Sequence, residues 1–155
     1  MRLMRGLAAV VVACVLAGTA LAASNSQAVV KMRSTSLGDI LVAGNGKTLY
    51  MFARDKGTKS TCTGACATFW PPLLTTGAPK AGAGITAGLL GTSHRADGTV
   101  QVTYHSHPLY FFAKDTKAGQ TKGEGLAAFG AKWFALSPEG TKVTPPASSP
   151  GGGYG

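Results

Sequence analysis

Short runs in which apolar and polar residues alternate dominate the chain beyond residue 27. Val100, Val102 and Tyr104 alternate with Thr99, Gln101 and Thr103, the two-residue period of a strand that buries one face and wets the other. Residues 49–53 and 109–113 are apolar on both faces, so these strands are expected at the centre of the fold, covered on both sides. Strands are predicted over residues 28–33, 39–43 and 47–53, and again over 90–94, 99–104 and 108–113. Asn45-Gly46 and Asp97-Gly98 mark turns, because these residues tolerate positive φ. A polar, Gly- and Lys-rich loop follows each third strand. Short helical stretches are predicted at 64–69 and 125–129, the first stopped by Pro71-Pro72. Last strands are expected at Leu73-Leu74 and over 132–136.

The two sets of strands are copies of one another. Leu49-Tyr50-Met51-Phe52-Ala53-Arg54-Asp55 recurs as Leu109-Tyr110-Phe111-Phe112-Ala113-Lys114-Asp115, with no gap and only the third and sixth residues changed. The same offset carried backward pairs Gly38 with Gly98, Ile40 with Val100 and Val42 with Val102. Carried forward across a small insertion, it sets Trp70 against Trp133-Phe134. Internal repetition of this kind marks a fold built from one repeated unit. Four strands per copy resemble a propeller blade, but two blades cannot close a propeller. The expectation is a mainly β chain: a compact sandwich or barrel of two tandem, pseudo-symmetric β-meander repeats, each with one short helix. A dimer supplying four blades is the outside alternative. The repeats are placed at residues 28–74 and 90–143, with a Gly-, Ala- and Thr-rich linker at 75–89. Residues 144–155 form a Pro/Gly-rich tail expected to be disordered; Tyr154 is the one residue there suited to a weak contact.

The N-terminus changes the setting. Arg2 and Arg5 precede an apolar run over residues 7–16, and Ala20-Leu21-Ala22 gives a small-x-small cleavage pattern. This is the layout of a secretory signal peptide, cut after Ala22. The alternative of a membrane anchor is disfavoured because the run falls short of the roughly 20 residues a span needs. Val11-Val12-Ala13-Cys14 also resembles a lipobox, which would anchor the chain by lipid at Cys14. Soluble export is preferred, since the apolar core before Cys14 would be very short. The formal charge of +9 falls to +7 once Arg2 and Arg5 are removed. Outside the cytoplasm that charge points to anionic envelope polymers, lipid head groups or acidic small molecules, and not to nucleic acid; the alternative is that it only aids solubility. The 45% hydrophobic content excludes wholesale disorder.

Candidate chemistry is sparse. Cys62 and Cys66 are the two cysteines left after cleavage, and in an oxidising compartment a disulfide is the default. Closing so short a loop restricts the unfolded chain by about 2 kcal/mol. A redox pair or a soft-metal site are the alternatives, but CxxxC is not the usual redox spacing. His105 and His107, two apart in an extended segment, can face one side and share a metal. His94 is a third candidate ligand, and Met51 or Met32 would add a thioether for copper. The repeat alignment, however, places His105 and His107 on a hairpin turn, where exposed histidines are expected; a pH-responsive turn is a further alternative.

In each copy Tyr50 and Phe52, or Tyr110 and Phe112, share a strand face, with Asp55 or Asp115 just beyond. An aromatic strand followed by a carboxylate that caps the next turn is expected; a symmetric pair of carboxylates gripping a cation is the alternative. Six carboxylates in the chain leave little for a glycosidase-like dyad. No nucleophile elbow, P-loop, HExxH or EF-hand spacing occurs, and the absence of CxxCH excludes covalent haem.

Several stretches together resemble a known bacterial family. They are residues 37–42, 46–52 and Cys62-Thr63-Gly64-Ala65-Cys66-Ala67, then Trp70-Pro71-Pro72-Leu73, residues 97–104 and His107-Pro108-Leu109-Tyr110. The family is the secreted repeat of unknown function, described as predicted lipoproteins with a Yx(FWY)xxD motif, met here at Tyr50/Phe52/Asp55 and Tyr110/Phe112/Asp115. The resemblance covers about residues 29–143. It implies an exported envelope protein with no established activity, many relatives being lipoproteins; the better signal-peptidase site of this chain departs from that. His107 matches the family's His-Pro-Leu-Tyr element, whereas His105 stands where an asparagine-like turn residue is expected. The reading that follows is an exported, non-enzymatic binding or structural module without a cofactor. It would present a basic, aromatic-lined surface to an envelope component, periplasmic or secreted, with no transmembrane span after cleavage. Its alternatives are a periplasmic copper-, zinc- or haem-handling protein using the histidines and, last, a small hydrolase.

Overall fold

The structure is a computed structural model that describes residues 26–145. The signal peptide expected at residues 1–22, the lipobox alternative at Cys14 and the tail beyond residue 145 lie outside the described residues. The chain is mainly β, in two tandem repeats. The first contributes β1 (Val29–Thr35), β2 (Gly38–Ala43), β3 (Tyr50–Phe52) and the helix α1 (Ala65–Phe69). The linker carries β4 (Lys80–Ala81), which pairs in parallel with Val29 and Val30 of β1. The second repeat contributes β5 (Leu90–His94), β6 (Val100–Tyr104), β7 (His107–Pro108), β8 (Ala127–Ala128) and β9 (Ala131–Ala135). These strands make three small sheets, ordered β2-β1-β4, β3-β9-β8 and β5-β6-β7. They do not close into one barrel.

What joins the sheets is an exchange of last strands. Residues 69–75, at the end of the first repeat, lie between strands of the second. Leu73 donates to the Leu109 carbonyl at 2.9 Å and accepts from Val102 N–H at 2.8 Å, while Phe111 donates to Pro71 and Ala113 to Phe69. Reciprocally, β9 of the second repeat pairs antiparallel with β3 of the first, and Leu136 accepts from Leu41 N–H of β2 at 2.8 Å. Each repeat therefore completes the other's sheet. Buried backbone N–H and C=O groups need such partners, so either repeat alone would expose a row of unpaired groups.

The hydrogen bonds also refine the internal alignment. Leu49 N–H bonds Leu41 and Leu109 N–H bonds Val102, so Leu41, and not Val42, is the counterpart of Val102. The first turn is one residue longer in the second repeat and the next turn one residue shorter, which restores the offset of 60 at Tyr50 and Tyr110. The shift makes Ile40 the counterpart of Gln101, both wholly buried. Here β6 departs from its alternating pattern. Gln101 and Thr103 are buried along with Val102 and Tyr104; the Gln101 side chain is engaged by the Leu109 carbonyl and by Arg95.

The helix expected at 125–129 is instead the β8–β9 hairpin. Ala127 pairs with Lys132 and Ala128 with Ala131, and the Trp133 indole donates to the Ala128 carbonyl at 3.2 Å. A five-residue helix gains little on its own, and these cross-strand bonds displace it. Phe129 (φ 57°) and Gly130 (φ 92°) form the tip.

Two buried clusters lie on either side of the central strands. One holds Tyr50, Phe52, Trp70, Tyr110, Phe112 and Trp133 with both cysteines; the other holds Val30, Leu41, Leu49, Val102, Tyr104, Leu109 and Leu136. Residues 49–50 and 109–110 are central and wholly buried, although regular pairing spans fewer residues of each than the pattern predicts. Because both clusters draw on both repeats, chains ending at residue 75 or beginning at residue 88 are expected to lack a cooperative urea transition and dispersed amide resonances. Mixing the two halves is expected to restore both.

Candidate functional site

The two motif tyrosines meet on the pseudo-twofold axis. Tyr50 N–H donates to the Tyr110 carbonyl at 2.8 Å, and Tyr110 N–H returns the bond to Tyr50 at 3.0 Å. Their side chains then cross between repeats. The Tyr50 hydroxyl donates to Asp115 Oδ2 at 2.5 Å, and the Tyr110 hydroxyl to Asp55 Oδ2 at 2.6 Å. The second oxygen of each carboxylate closes its own loop. Asp55 Oδ1 accepts from the Thr61 N–H and hydroxyl, both at 2.7 Å; Asp115 Oδ1 accepts from Lys122 N–H at 3.0 Å.

The aromatic residues repeat this symmetry. Phe52, Trp133, Trp70 and Phe112 form one continuous stack, with centroid separations of 4.1, 3.9 and 4.3 Å. Tyr50 meets Trp70 edge-on at 5.5 Å and Tyr110 meets Trp133 edge-on at 5.1 Å. Gly123 is needed beside them, because a Cβ there would stand 2.8 Å from the Trp70 ring and 2.9 Å from Tyr50.

Burial, then the hydrogen bond to Asp115, pushes the Tyr50 hydroxyl far above its ordinary range. Burial, then Asp55, does the same to Tyr110. Both phenols are thus fixed as neutral donors. Burial also raises the Asp115 carboxyl, against its bonds from Tyr50 and Lys122. With their oxygens committed to a tyrosine and a loop, Asp55 and Asp115 are placed to hold the repeats together, and the site has no free acid–base pair at these positions.

Cys62 and Cys66 are joined in a disulfide, Cα to Cα 5.2 Å, which ties the loop after Asp55 to α1. Beside it, Arg95 Nη1 donates to Ser60 Oγ at 2.9 Å and Gln101 Oε1 at 2.7 Å, and Nη2 donates to the Cys62 carbonyl at 2.7 Å. Neither Arg95 nor Gln101 stands out in the sequence; the only signal was a glutamine in the middle of a strand.

His105 and His107 are neighbours, but His94 is not brought to them. His105 (φ 47°) and Ser106 (φ 65°) form the two-residue turn between β6 and β7, with His105 Nδ1 3.3 Å from the Gly140 carbonyl. The His107 ring lies 6.4 Å from that of His105, edge-on; burial, then the neighbouring His105, lowers its pKa. His94 pairs with Val100, at the opposite end of β6 from Tyr104 and His105. Among the described residues no three His, Cys, Asp or Glu side chains cluster to hold a metal ion.

Two surface features remain. An open apolar groove of ≈ 260 Å³ is lined by Phe69, Trp70, Phe112, Leu126 and Phe129, with Lys114 at its rim. Phe69, Leu126 and Phe129 are 48%, 40% and 39% exposed, and the rings of Phe69 and Phe129 lie 6.1 Å apart. A larger cleft of ≈ 710 Å³ lies beside Lys59 and Arg95.

An interlocked pair of β repeats, closed by a crossed Tyr–Asp clasp, defines a tandem-repeat protein. Residues 31–74 and 91–137, more than half of the chain, each match the model of the "secreted repeat of unknown function" family. The chain belongs to that family. No curated protein and no solved structure matches it. Among the described residues no helix is long and apolar enough to cross a membrane.

Glu124 provides a test of the electrostatics. Its Oε2 accepts from Ala135 N–H of β9 at 2.5 Å, its Oε1 is buried without a partner, and burial raises its pKa. A carboxyl raised in the folded state resists ionisation there, so its stabilising balance improves as pH falls through the folded pKa. His107, lowered, acts in the opposite sense below its ordinary value. The difference between wild type and Glu124→Gln isolates the carboxyl. Thermal melts at pH 7, 6 and 5 are expected to show the wild type gaining on the variant as pH falls; parallel profiles would contradict the assignment.

Proposed function

We propose that this protein is a non-enzymatic binding module of the cell envelope, exported by the leader of residues 1–22 and acting in the periplasm or outside the cell. The groove over the end of the aromatic stack is its docking surface. The partner is an envelope component that offers an apolar face and negative charge, and nucleic acid is not among its ligands.

One observation carries this reading. Phe129 occupies the tip of a two-residue hairpin in the left-handed region, where Gly and Asn are favoured and a bulky side chain is strained. It is also 39% exposed. A large apolar residue that is unfavourable for the turn and for solvation is explained by a contact it makes elsewhere. Phe69 and Leu126 extend the same surface, and contiguous apolar patches of this kind mark interaction sites. Lys114 at the rim and the basic character of the chain favour an anionic partner. The carboxylates of both motifs are spent on the clasp, which supports a non-enzymatic role.

Phe129→Asn separates function from folding. Asparagine suits the left-handed turn, so the melting temperature is expected to hold or rise. Burying a phenylalanine side chain is worth roughly 1.5–3 kcal/mol. Retention of purified protein on isolated envelope membranes is therefore expected to fall about tenfold in Phe69→Ser/Phe129→Asn, and to weaken with salt in the wild type. Equal retention of variant and wild type would overturn the proposal.

A further inference from the structure

The two repeats share the clasp but differ beside it, and the difference is concentrated at one cleft. In the second repeat Arg95 opens the first turn and Gln101 lies in the following strand. The register of β1 with β2 and of β5 with β6 makes Thr35 and Ile40 their counterparts in the first repeat. Ile40 is wholly buried against the aromatic cluster, so an apolar residue meets the fold's needs at that position. Thr35 only closes its own turn, accepting from Leu37 N–H and donating to the Gly38 carbonyl. An arginine and a buried glutamine are therefore additions that the repeat architecture does not require.

These additions hold a positive charge in a fixed place. Arg95 is half-buried, and its three hydrogen-bond partners, Ser60 Oγ, Gln101 Oε1 and the Cys62 carbonyl, are all neutral oxygens. Its Nε is buried with no partner at all. Gln101 is itself pinned by its amide, which donates to the Leu109 carbonyl at 2.8 Å. Ser60 is pinned by the Tyr110 hydroxyl at 2.7 Å, and the disulfide fixes the loop that carries Cys62. A half-buried guanidinium ordinarily gains a carboxylate partner; this one is gripped by neutral acceptors and faces a cleft.

The cleft adds the exposed amine of Lys59, the hydroxyls of Ser60 and Thr63, and the ring of His94. Asp97 is the one carboxylate on its wall. That group is turned to its own loop, its Oδ1 accepting from the Thr99 N–H at 2.9 Å and hydroxyl at 2.6 Å. The wall thus carries two cations against one anion already engaged, in a recess of ≈ 710 Å³ that is large enough for a ligand of small-molecule size.

We propose that this cleft is a second binding site, separate from the apolar groove, which takes an oxyanion group borne on a polar ligand. Lys59 contacts the anion directly. Arg95 supplies a preorganised positive field, and the hydroxyls of Ser60 and Thr63 bind the polar body. Phosphate esters and sugar carboxylates share this chemistry.

The test uses amide chemical shifts of the folded protein, disulfide intact, titrated with glycerol 3-phosphate and, separately, with glucuronate. Glycerol and glucose are the neutral controls. Saturable shifts are expected at residues 59–64 and 94–98 with one or both anions, with the neutral compounds silent and the counterpart turn at residues 35–38 unmoved. The anion that saturates at lower concentration identifies the source. Lys59→Ala is expected to weaken binding roughly tenfold, as loss of a charge-assisted contact does, while Phe129→Asn leaves it unchanged. Arg95→Gln should weaken it as well, but it also frees the Cys62 carbonyl, so the exposed Lys59 decides the matter. Absence of saturation with both anions, or shifts that Lys59→Ala leaves unaltered, would overturn the proposal without touching the groove.

Discussion

Each tyrosine of the repeated motif gives its hydroxyl to the aspartate of the other copy, and the remaining architecture is organised around that crossing. Had Tyr50 bonded Asp55, and Tyr110 Asp115, each repeat would have closed on itself. Instead Tyr50 reaches Asp115 and Tyr110 reaches Asp55, at the point where the two backbones exchange a pair of hydrogen bonds. Hydrogen bonds to charged groups contribute about 1.5–3 kcal/mol each, and orphaning a buried partner costs a similar amount. Aromatic contacts add about 0.5–1.5 kcal/mol per pair, and three stacked pairs and the edge-on pair Tyr50–Phe112 tie the repeats together here. Against these, the disulfide closes a loop within one repeat, worth about 2 kcal/mol. The clasp, and not the disulfide, is what makes one domain of two copies.

A symmetric clasp leaves the periphery free to diverge. After Asp55 the first repeat builds a disulfide-tied loop and a short helix; after Asp115 the second builds a hairpin with Phe129 at its tip. The groove forms where these two unlike elements meet, Phe69 from one and Phe129 from the other. The cleft forms where Arg95 of the second repeat meets the disulfide loop of the first. Both candidate sites therefore lie at junctions between repeats, which only the folded pair creates.

Much of the architecture was legible in local pattern. The strand read at Leu90–His94 has its observed bounds, and the recurrence of Tyr-x-Phe-x-x-Asp exposed the duplication and set Trp70 against the Trp133-Phe134 region. Spacing within one copy, however, says nothing about whose aspartate a tyrosine meets, so the crossing was invisible. Gln101 read as a solvated strand residue because no local pattern reveals its bonds to Arg95 and the Leu109 carbonyl. The stretch 125–129 read as helix because the hydrogen bonds that favour a hairpin come from β9, and because Phe129 is an unfavourable residue for the turn it occupies. Arg95 carried no motif. His94, read as a third ligand one strand away, pairs with Val100 and so lies at the opposite end of β6 from His105.

The crossing itself is most directly measured by double-mutant cycles on unfolding free energy. Tyr50→Phe combined with Asp115→Asn, and Tyr110→Phe combined with Asp55→Asn, are predicted to couple by roughly 1–3 kcal/mol. The within-repeat combinations, Tyr50→Phe with Asp55→Asn and Tyr110→Phe with Asp115→Asn, are predicted to couple far less. Stronger coupling within repeats than between them would contradict the account.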